Sequence, residues 1–250
     1  MNGFIEKFNS NFIDFKDKFY LNFIKENRWK YLTDGLKITL TVTVFAVIIG
    51  IVIGFIIAII RSTYDKQHDV KNKNFGFYVL KFLNAICRIY LTVIRGTPVV
   101  VQLLIIYFVV FASFNVSKVF VAVMAFGLNS AAYVAEIFRS GIMAIDAGQS
   151  EAGRSLGFNF VQTMIYIIIP QAFKNVLPAL ANEFIVLLKE TSVSGYIALA
   201  DLTKGGDIIR SRTYEAMMPL FAVAIIYLVI VIILSKLVDI LERRLRSSER

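Results

Sequence analysis

Long apolar runs alternate with short charged segments along this chain. Residues 38–60 form 23 consecutive uncharged positions, and residues 217–235 form a second unbroken run. Residues 119–135 are also uncharged, and residues 75–94 are mostly apolar. About 20 apolar residues in a helix cross the hydrocarbon core of a bilayer. The pattern therefore predicts membrane-crossing helices at these four places and a fifth over residues 176–199.

The fifth predicted span is interrupted by polar residues. Residues 176–188 are too short to cross a bilayer alone, so residues 193–199 are expected to complete the crossing after a break near Thr191 and Ser192. Broken helices near the midplane are where transporters build solute sites. The two hydroxyls, together with Asn182, are therefore predicted to line a solute pathway.

Two glycines stand four residues apart in the first run. Gly50 and Gly54 form a G-x-x-x-G pair, which allows close helix packing in a membrane. Two unrelated glycines in an apolar helix are the alternative interpretation.

A turn signal follows the second span. Residues 95–98 read Arg-Gly-Thr-Pro and precede an uncharged run over 99–114. Pro98 is expected to kink or restart the helix, because proline lacks the N–H donor and its ring clashes with the preceding turn. Thr97, beside this turn, is assigned to the solute pathway.

The N-terminal 32 residues differ in character. Phenylalanines recur at steps of three and four, which places them on one face of a helix: Phe4, Phe8, Phe12, Phe15, Phe19 and Phe23. Charged residues lie mostly elsewhere, so residues 1–32 are predicted to form an amphipathic helix lying at the membrane interface. Residues 33–250 form the membrane domain.

Composition supports a polytopic membrane protein and excludes other classes. Hydrophobic residues make up 57% of the chain, and the mean hydropathy is +0.68. The net charge of +9 includes no long basic run, which favours charged loops over nucleic-acid binding. The chain has one cysteine, Cys87, and one histidine, His68. This excludes an internal disulfide and argues against a metal site. No phosphate-binding loop is present, so we do not expect this chain to hydrolyse ATP.

A short polar segment lies among the apolar ones, at about residues 146–170. Asp146 and Gln149 offer a capping box for a helix that begins near Ala147, and Gly157 offers a left-handed stop. Three small residues give this helix a face that another backbone can approach closely: Ala152, Gly153 and Gly157. A helix this short is not stable alone and needs a surface to rest on.

This segment resembles the cytoplasmic loop of ATP-binding-cassette importer permeases. The family pattern is E-A-A, three residues, G, nine residues, then I-x-L-P. Glu151-Ala152-Gly153, Gly157 and Ile-Ile-Ile-Pro at 167–170 fit that spacing without a gap, with Gly153 and Ile169 as mild departures. The resemblance assigns five residues to coupling with an ATPase: Asp146, Glu151, Ala152, Gly153 and Gly157.

Four other stretches resemble the polar amino-acid branch of the same family: residues 95–103, 129–139, 182–185 and 188–192. The resemblance implies an all-α bundle of five transmembrane helices with the N-terminus outside and the C-terminus cytoplasmic. It also implies that the uncharged run over 155–173 is the second limb of a bent hairpin, interrupted at Gly157 and Pro170. Residues 201–215 are interpreted as an outer loop.

The implied function is the membrane subunit of an ATP-driven amino-acid importer in a prokaryotic cell membrane. The implied partners are an ATPase dimer that binds ATP and Mg²⁺, a second permease copy or close relative, and an extracellular or periplasmic binding protein. A membrane scaffold or sensor without transport, and an ion-coupled secondary transporter, are the alternatives. The second of these usually needs more spans and often an internal repeat.

Glu183 is the acidic residue with two competing interpretations. A charge within a span costs a few kcal/mol and is usually retained for a pathway or a partner. It is predicted to receive the substrate ammonium, which would favour cationic amino acids. The alternative is structural: a pair with Lys189, or a hydrogen bond to Asn182 or to a neighbouring helix.

Overall fold

The computed structural model describes residues 13–67 and 75–247, which are mostly helical and contain no strand. In chain order the helices are α1 (13–19, continuing as a π-turn over Tyr20–Ile24), α2 (Trp29–Gln67), α3 (Phe75–Gly96), α4 (Val99–Ile105, continuing as a π-turn over Ile106–Val110), α5 (Lys118–Met143), α6 (Ala147–Ser155), α7 (Phe160–Thr163), α8 (Ile169–Glu190), α9 (Leu202–Thr213) and α10 (Met217–Ser247). The predicted all-α class is confirmed.

Five helical stretches among the described residues are long and apolar enough to cross a membrane, as predicted: Trp29–Asp65, Phe75–Gly96, Lys118–Met143, Phe160–Ile197 and Met217–Leu245. Of the most apolar stretch of α5, 67% is buried inside the protein. The corresponding shares are 17% for α3 and 11% for α10. α5 is therefore the central helix, and α3 and α10 lie at the periphery. The orientation of the termini stays a prediction.

Helices α2 and α5 pack against each other through glycines. A Cβ on Gly50 would lie 2.9 Å from Ser130 Oγ, and one on Gly54 would lie 2.7 Å from Val134 Cγ1. On α5, Gly127 presents the same kind of contact to Ile49 at 2.9 Å. Close packing is thus the function of the G-x-x-x-G pair.

α6 packs against the limb that follows Gly157, as the hairpin interpretation expected, and residues 147–168 are called the α6 hairpin below; the interruption expected at Pro170 is absent. The chain runs as a nearly continuous helix from Phe160 to Ile197, and Pro170 does not end it. Pro170 is the second residue of α8, where a missing N–H is tolerated, and a π-turn over Met164–Ile168 leads into it. The crossing helix α8 therefore has 22 residues. It was predicted to begin at Val176.

The predicted break at the other end of α8 is present in a milder form. The α-helix ends at Glu190 and continues as a 3₁₀-helix over Thr191–Ile197, which stops at Ala198 in the left-handed conformation (φ 53°). The backbone thus changes its hydrogen-bonding pattern at Thr191 without leaving the helical path.

The segment interpreted as an outer loop, residues 201–215, contains a helix, α9, although glycine has a low helix propensity. Its side of the membrane stays a prediction. The glycines of α9 are needed for packing: a Cβ on Gly205 would overlap the backbone of Tyr31, and a Cβ on Gly206 would lie 2.5 Å from Val223 Cγ2. α9 consequently lies tight against the start of α2.

The N-terminal segment turns before α2 begins. Glu26 and Asn27 both have positive φ (58° and 55°), and α2 starts at Trp29, so the predicted boundary at residue 32 falls inside this helix. Asn22 Nδ2 donates to Glu215 Oε2 at 2.9 Å, which fastens α1 and its π-turn to the segment before α10. Phe15 and Phe19 are exposed while Phe23 is buried. Phe4, Phe8 and Phe12 lie outside the described residues.

Candidate functional site

The polar helix predicted near Ala147 is present as α6 and is held on a neighbouring limb. Gly153 is its buried residue, and a Cβ there would lie 2.9 Å from both Thr163 Cγ2 and Ile167 Cδ1. Gln171 Nε2 donates to Gln149 Oε1 at 3.2 Å. A nine-residue helix thus gains the support that it lacks alone.

The ends of α6 are capped as the sequence suggested, with one correction. Gly157 takes φ +86°, and its N–H bonds Arg154 O at 2.9 Å while Phe158 N bonds Gly153 O at 3.1 Å, a Schellman ending. Asp146 accepts from Gly148 N at 2.6 Å. The reciprocal capping box with Gln149 is wrong, because the Gln149 side chain is directed to Gln171.

A complete capping box occurs in the next helix instead. Asn159 Oδ1 accepts from Gln162 N at 2.9 Å, and Gln162 Oε1 accepts from Asn159 N at 2.9 Å. This box starts α7 directly after Gly157, so the turn between α6 and α7 is fixed on both sides.

The other coupling residues point away from the bundle. Glu151, Ala152 and Gly157 are exposed, and the Leu156 side chain is 75% exposed. The Glu151 side chain makes no hydrogen bond or ion pair with the described residues, whereas Gly153 serves internal packing. The predicted set is therefore divided into one buried anchor and an exposed tip.

Glu183 lies between three helices. Its Oε1 accepts a hydrogen bond from Ser130 Oγ at 2.9 Å, and its side chain is buried. Ser130 also contacts Gly50 of α2. The contact to a neighbouring helix, offered above as part of the structural alternative, is therefore present, and Lys189 is exposed.

The remaining predicted pathway residues do not gather around Glu183. Asn182 lies on the exposed face of α8, and Thr97 is exposed in the turn between α3 and α4. Thr191 is buried and donates to Leu188 O at 2.8 Å. Ser192 lies at the edge of a cleft of about 480 Å³ that also reaches Lys204. No hydrogen bond joins any two of these five described residues.

Sequence reasoning missed a polar link through Gln102. Its Nε2 donates to Ile94 O (2.7 Å) and Thr97 Oγ1 (2.9 Å), and its Oε1 accepts from Asn129 Nδ2 at 3.0 Å. Gln102 and Asn129 are both buried. The link holds the Arg-Gly-Thr-Pro turn against α5. The sequence signal for this link was a side-chain amide in each of two apolar runs, Gln102 in residues 99–114 and Asn129 in residues 119–135.

Residues 75–247 match the family described as the binding-protein-dependent transport system inner membrane component. The match covers α3 to α10 and so includes the α6 hairpin, Glu183 and the Gln102 link. The chain belongs to this permease family. It is accordingly a multi-pass protein of a prokaryotic cell membrane.

Relatives of the permease carry transport names. It is 42% identical over 166 residues to the arginine transport system permease protein ArtQ of Bacillus subtilis (strain 168), covering 66% of this chain and 76% of that one. It is 37% identical over 177 residues to the glutamine transport system permease protein GlnP of Escherichia coli (strain K12), with coverages of 70% and 80%.

A solved structure agrees with the permease fold over most of its length. It is a crystal structure of an amino acid ABC transporter with histidines, 42% identical in sequence with a TM-score of 0.75. The superposition covers 89% of this chain and 98% of that one. The five-span permease fold expected from the sequence is therefore confirmed.

Proposed function

We propose that this permease forms the membrane pathway of an ATP-driven importer of polar amino acids. A separate ATPase dimer docks on the α6 hairpin and binds the ATP and Mg²⁺. A second copy, or a close relative, completes the pathway. An extracellular or periplasmic binding protein delivers the substrate.

The exposed tip of α6 is the observation that carries the coupling proposal. Glu151, Ala152 and Leu156 face outward while Gly153 locks the helix onto α7 and the π-turn behind it. Since α7 continues through α8 into the bundle, a push on α6 reaches the helix that carries Glu183. Closure of the ATPase dimer would then rock the bundles and expose the pathway alternately to each side.

The substrate class is supported by the relatives and by Glu183. The names of two relatives specify arginine and glutamine, which share a polar side chain and a zwitterionic backbone. Glu183 is a buried carboxyl group that accepts a hydrogen bond from Ser130 Oγ. A cation, such as the side chain of arginine, lysine or histidine, would compensate its charge, so we propose a preference for cationic substrates.

Substrate-stimulated ATP hydrolysis tests the proposal. The permease is co-expressed with its ATPase, reconstituted in vesicles and supplied with the binding protein. We expect hydrolysis to rise when the binding protein is loaded with amino acid. An unchanged rate with every amino acid would favour a scaffold, and uptake driven by an ion gradient without ATP would favour a secondary transporter.

A further inference from the structure

A positively charged cleft lies where α2, α3 and α5 meet. Its volume is about 250 Å³, and six residues line it: Arg61, Arg88, Leu91, Thr92, Arg95 and Glu136. Three guanidinium groups thus share one cavity with a single carboxylate. The predicted pathway residues do not include any of these six.

The one carboxylate is already engaged. Glu136 Oε1 bonds Arg61 Nη1 at 2.6 Å, and Glu136 Oε2 bonds Arg139 Nη2 at 3.2 Å. Arg139 additionally approaches Asp65 at 3.6 Å. Arg88 has no carboxylate partner within the described ranges, so the cleft carries excess positive charge.

Two further groups in the cleft have unused hydrogen-bonding capacity. Arg61 Nε is buried and has no hydrogen-bond partner in the described part of the chain. The Arg95 guanidinium lies 5.7 Å from the ring centroid of Tyr133. Arg95 forms no ion pair with any described residue. A bound anion would satisfy both arginines.

Arg88 lies far from both ends of its helix. It is 13 residues after Phe75 and 8 before Gly96, or roughly 20 Å and 12 Å at 1.5 Å per residue. An arginine inside an apolar helix is costly unless it faces a cavity or an anion. Arg61 and Glu136 directly follow the uncharged runs 38–60 and 119–135, so the cleft lies near one end of the spans, where a solute carboxylate and a lipid phosphate both have access.

We propose that this cleft binds the α-carboxylate of the transported amino acid. The inference rests on the proposed import of amino acids and adds a site that is separate from Glu183. A guanidinium offers two parallel N–H donors that match the two oxygens of a carboxylate. Because every amino acid carries this group, the cleft would hold neutral and cationic substrates alike.

Binding to the intact complex in nanodiscs of phosphatidylcholine tests the site without the binding protein. The probes are L-arginine, L-glutamine and their α-carboxamides, followed by saturation-transfer NMR, which detects weak binding. We expect the parent to bind each acid roughly tenfold or more tightly than its amide, because a hydrogen bond to a charged group is lost.

Three variants sharpen the test. The double substitution Arg88→Gln, Arg95→Gln should abolish the preference for acid over amide, and Arg88→Lys should reduce it by losing the planar fork. Lys81→Gln is the matched control, since Lys81 lies on the same side of α3, seven residues before Arg88, and outside the cleft. Unchanged helical circular dichroism and unchanged elution of the complex on size exclusion show that each variant is folded and assembled.

Each outcome decides the proposal. Equal affinity for acid and amide in the parent, or an undiminished preference in the double variant, overturns it. If adding phosphatidylglycerol displaces the amino acid from the parent but has no such effect on the double variant, a lipid phosphate occupies the cleft and the proposal is also wrong. Failure of the parent to take up any amino acid would instead refute the proposed function.

Discussion

Replacing Gly153 tests whether the contact between α6 and its supporting limb couples the permease to its ATPase. A Cβ at this position would lie 2.9 Å from Thr163 Cγ2 and from Ile167 Cδ1, against a comfortable carbon–carbon separation of about 3.5–4.0 Å. Valine adds two methyl groups at a site where even the first carbon is crowded. The side chain therefore fits only if α6 moves away.

The size of the effect follows from overpacking. Inserting carbon into a filled contact costs roughly 1–3 kcal/mol, which lowers the docked population of α6 by about 5- to 150-fold. Alanine should behave differently. It needs only small shifts of Ile167 and Thr163. Its higher helix propensity also stabilises the helix by about 1 kcal/mol relative to glycine.

The assay measures ATP hydrolysis and amino-acid uptake by the permease–ATPase complex reconstituted in vesicles. We expect Gly153→Val to assemble normally and to retain basal ATP hydrolysis, while stimulation by loaded binding protein and amino-acid uptake both fall at least fivefold. Gly153→Ala should keep most of both activities. Adding Thr163→Ser and Ile167→Val to Gly153→Val removes the two carbons in conflict, so it should restore part of the stimulation.

Two results would refute this reasoning. The first is a Gly153→Val protein with the stimulation and uptake of the parent, which would mean that the seating of α6 does not matter for coupling. The second is a Gly153→Ala protein as defective as the valine variant, which would mean that bulk against Thr163 and Ile167 is not the cause.

Two other predictions concern buried carboxylates. Glu183→Gln keeps an oxygen for Ser130 but removes the charge, so uptake of arginine and lysine should fall at least tenfold while neutral amino acids are less affected; equal uptake of both classes at the parent rate would exclude a ligand role. Burial raises the pKa of Asp201 to about 6, against backbone hydrogen bonds from Lys204 and Thr203 that lower it. The native state then binds more protons than the unfolded state between about pH 4 and pH 6, so stability should fall as pH rises through that window, by up to about 3 kcal/mol. Asp201→Asn should lack this decline in a thermal-unfolding series, and an identical decline would contradict the assignment.

Local rules predicted α6 well because its ends depend on neighbouring residues. Gly157 takes the left-handed conformation that its position suggested, and Asp146 caps the helix start. The partner of Gln149 could not be predicted in the same way, because Gln171 lies 22 residues further along the chain. Likewise, Gly50 and Gly54 signalled close packing, but the sequence did not indicate α5 as the partner.

The errors arose where tertiary contacts override local preference. Gly205 and Gly206 argue against a helix locally, yet α9 forms because these glycines let it approach Tyr31 and Val223. The resemblance implied an interruption at Pro170, but a π-turn over Met164–Ile168 leads into α8 and the helix continues through the proline.

The candidate site was predicted unevenly for the same reason. Glu183 was identified as an unusual charge within a span, but its partner Ser130 is 53 positions away. The three arginines of the cleft stand at positions 61, 88 and 95, far apart along the chain. Their convergence depends on how α2, α3 and α5 pack, which periodicity does not determine.

Uptake of labelled amino acids into proteoliposomes tests the central claim most directly. The vesicles contain the permease with its ATPase, and the binding protein with labelled arginine, lysine, histidine or glutamine is added outside while ATP is enclosed. The account predicts accumulation that requires both ATP and the binding protein, fastest for a cationic substrate. Absence of ATP-dependent accumulation of every amino acid, in a complex that hydrolyses ATP, would contradict it.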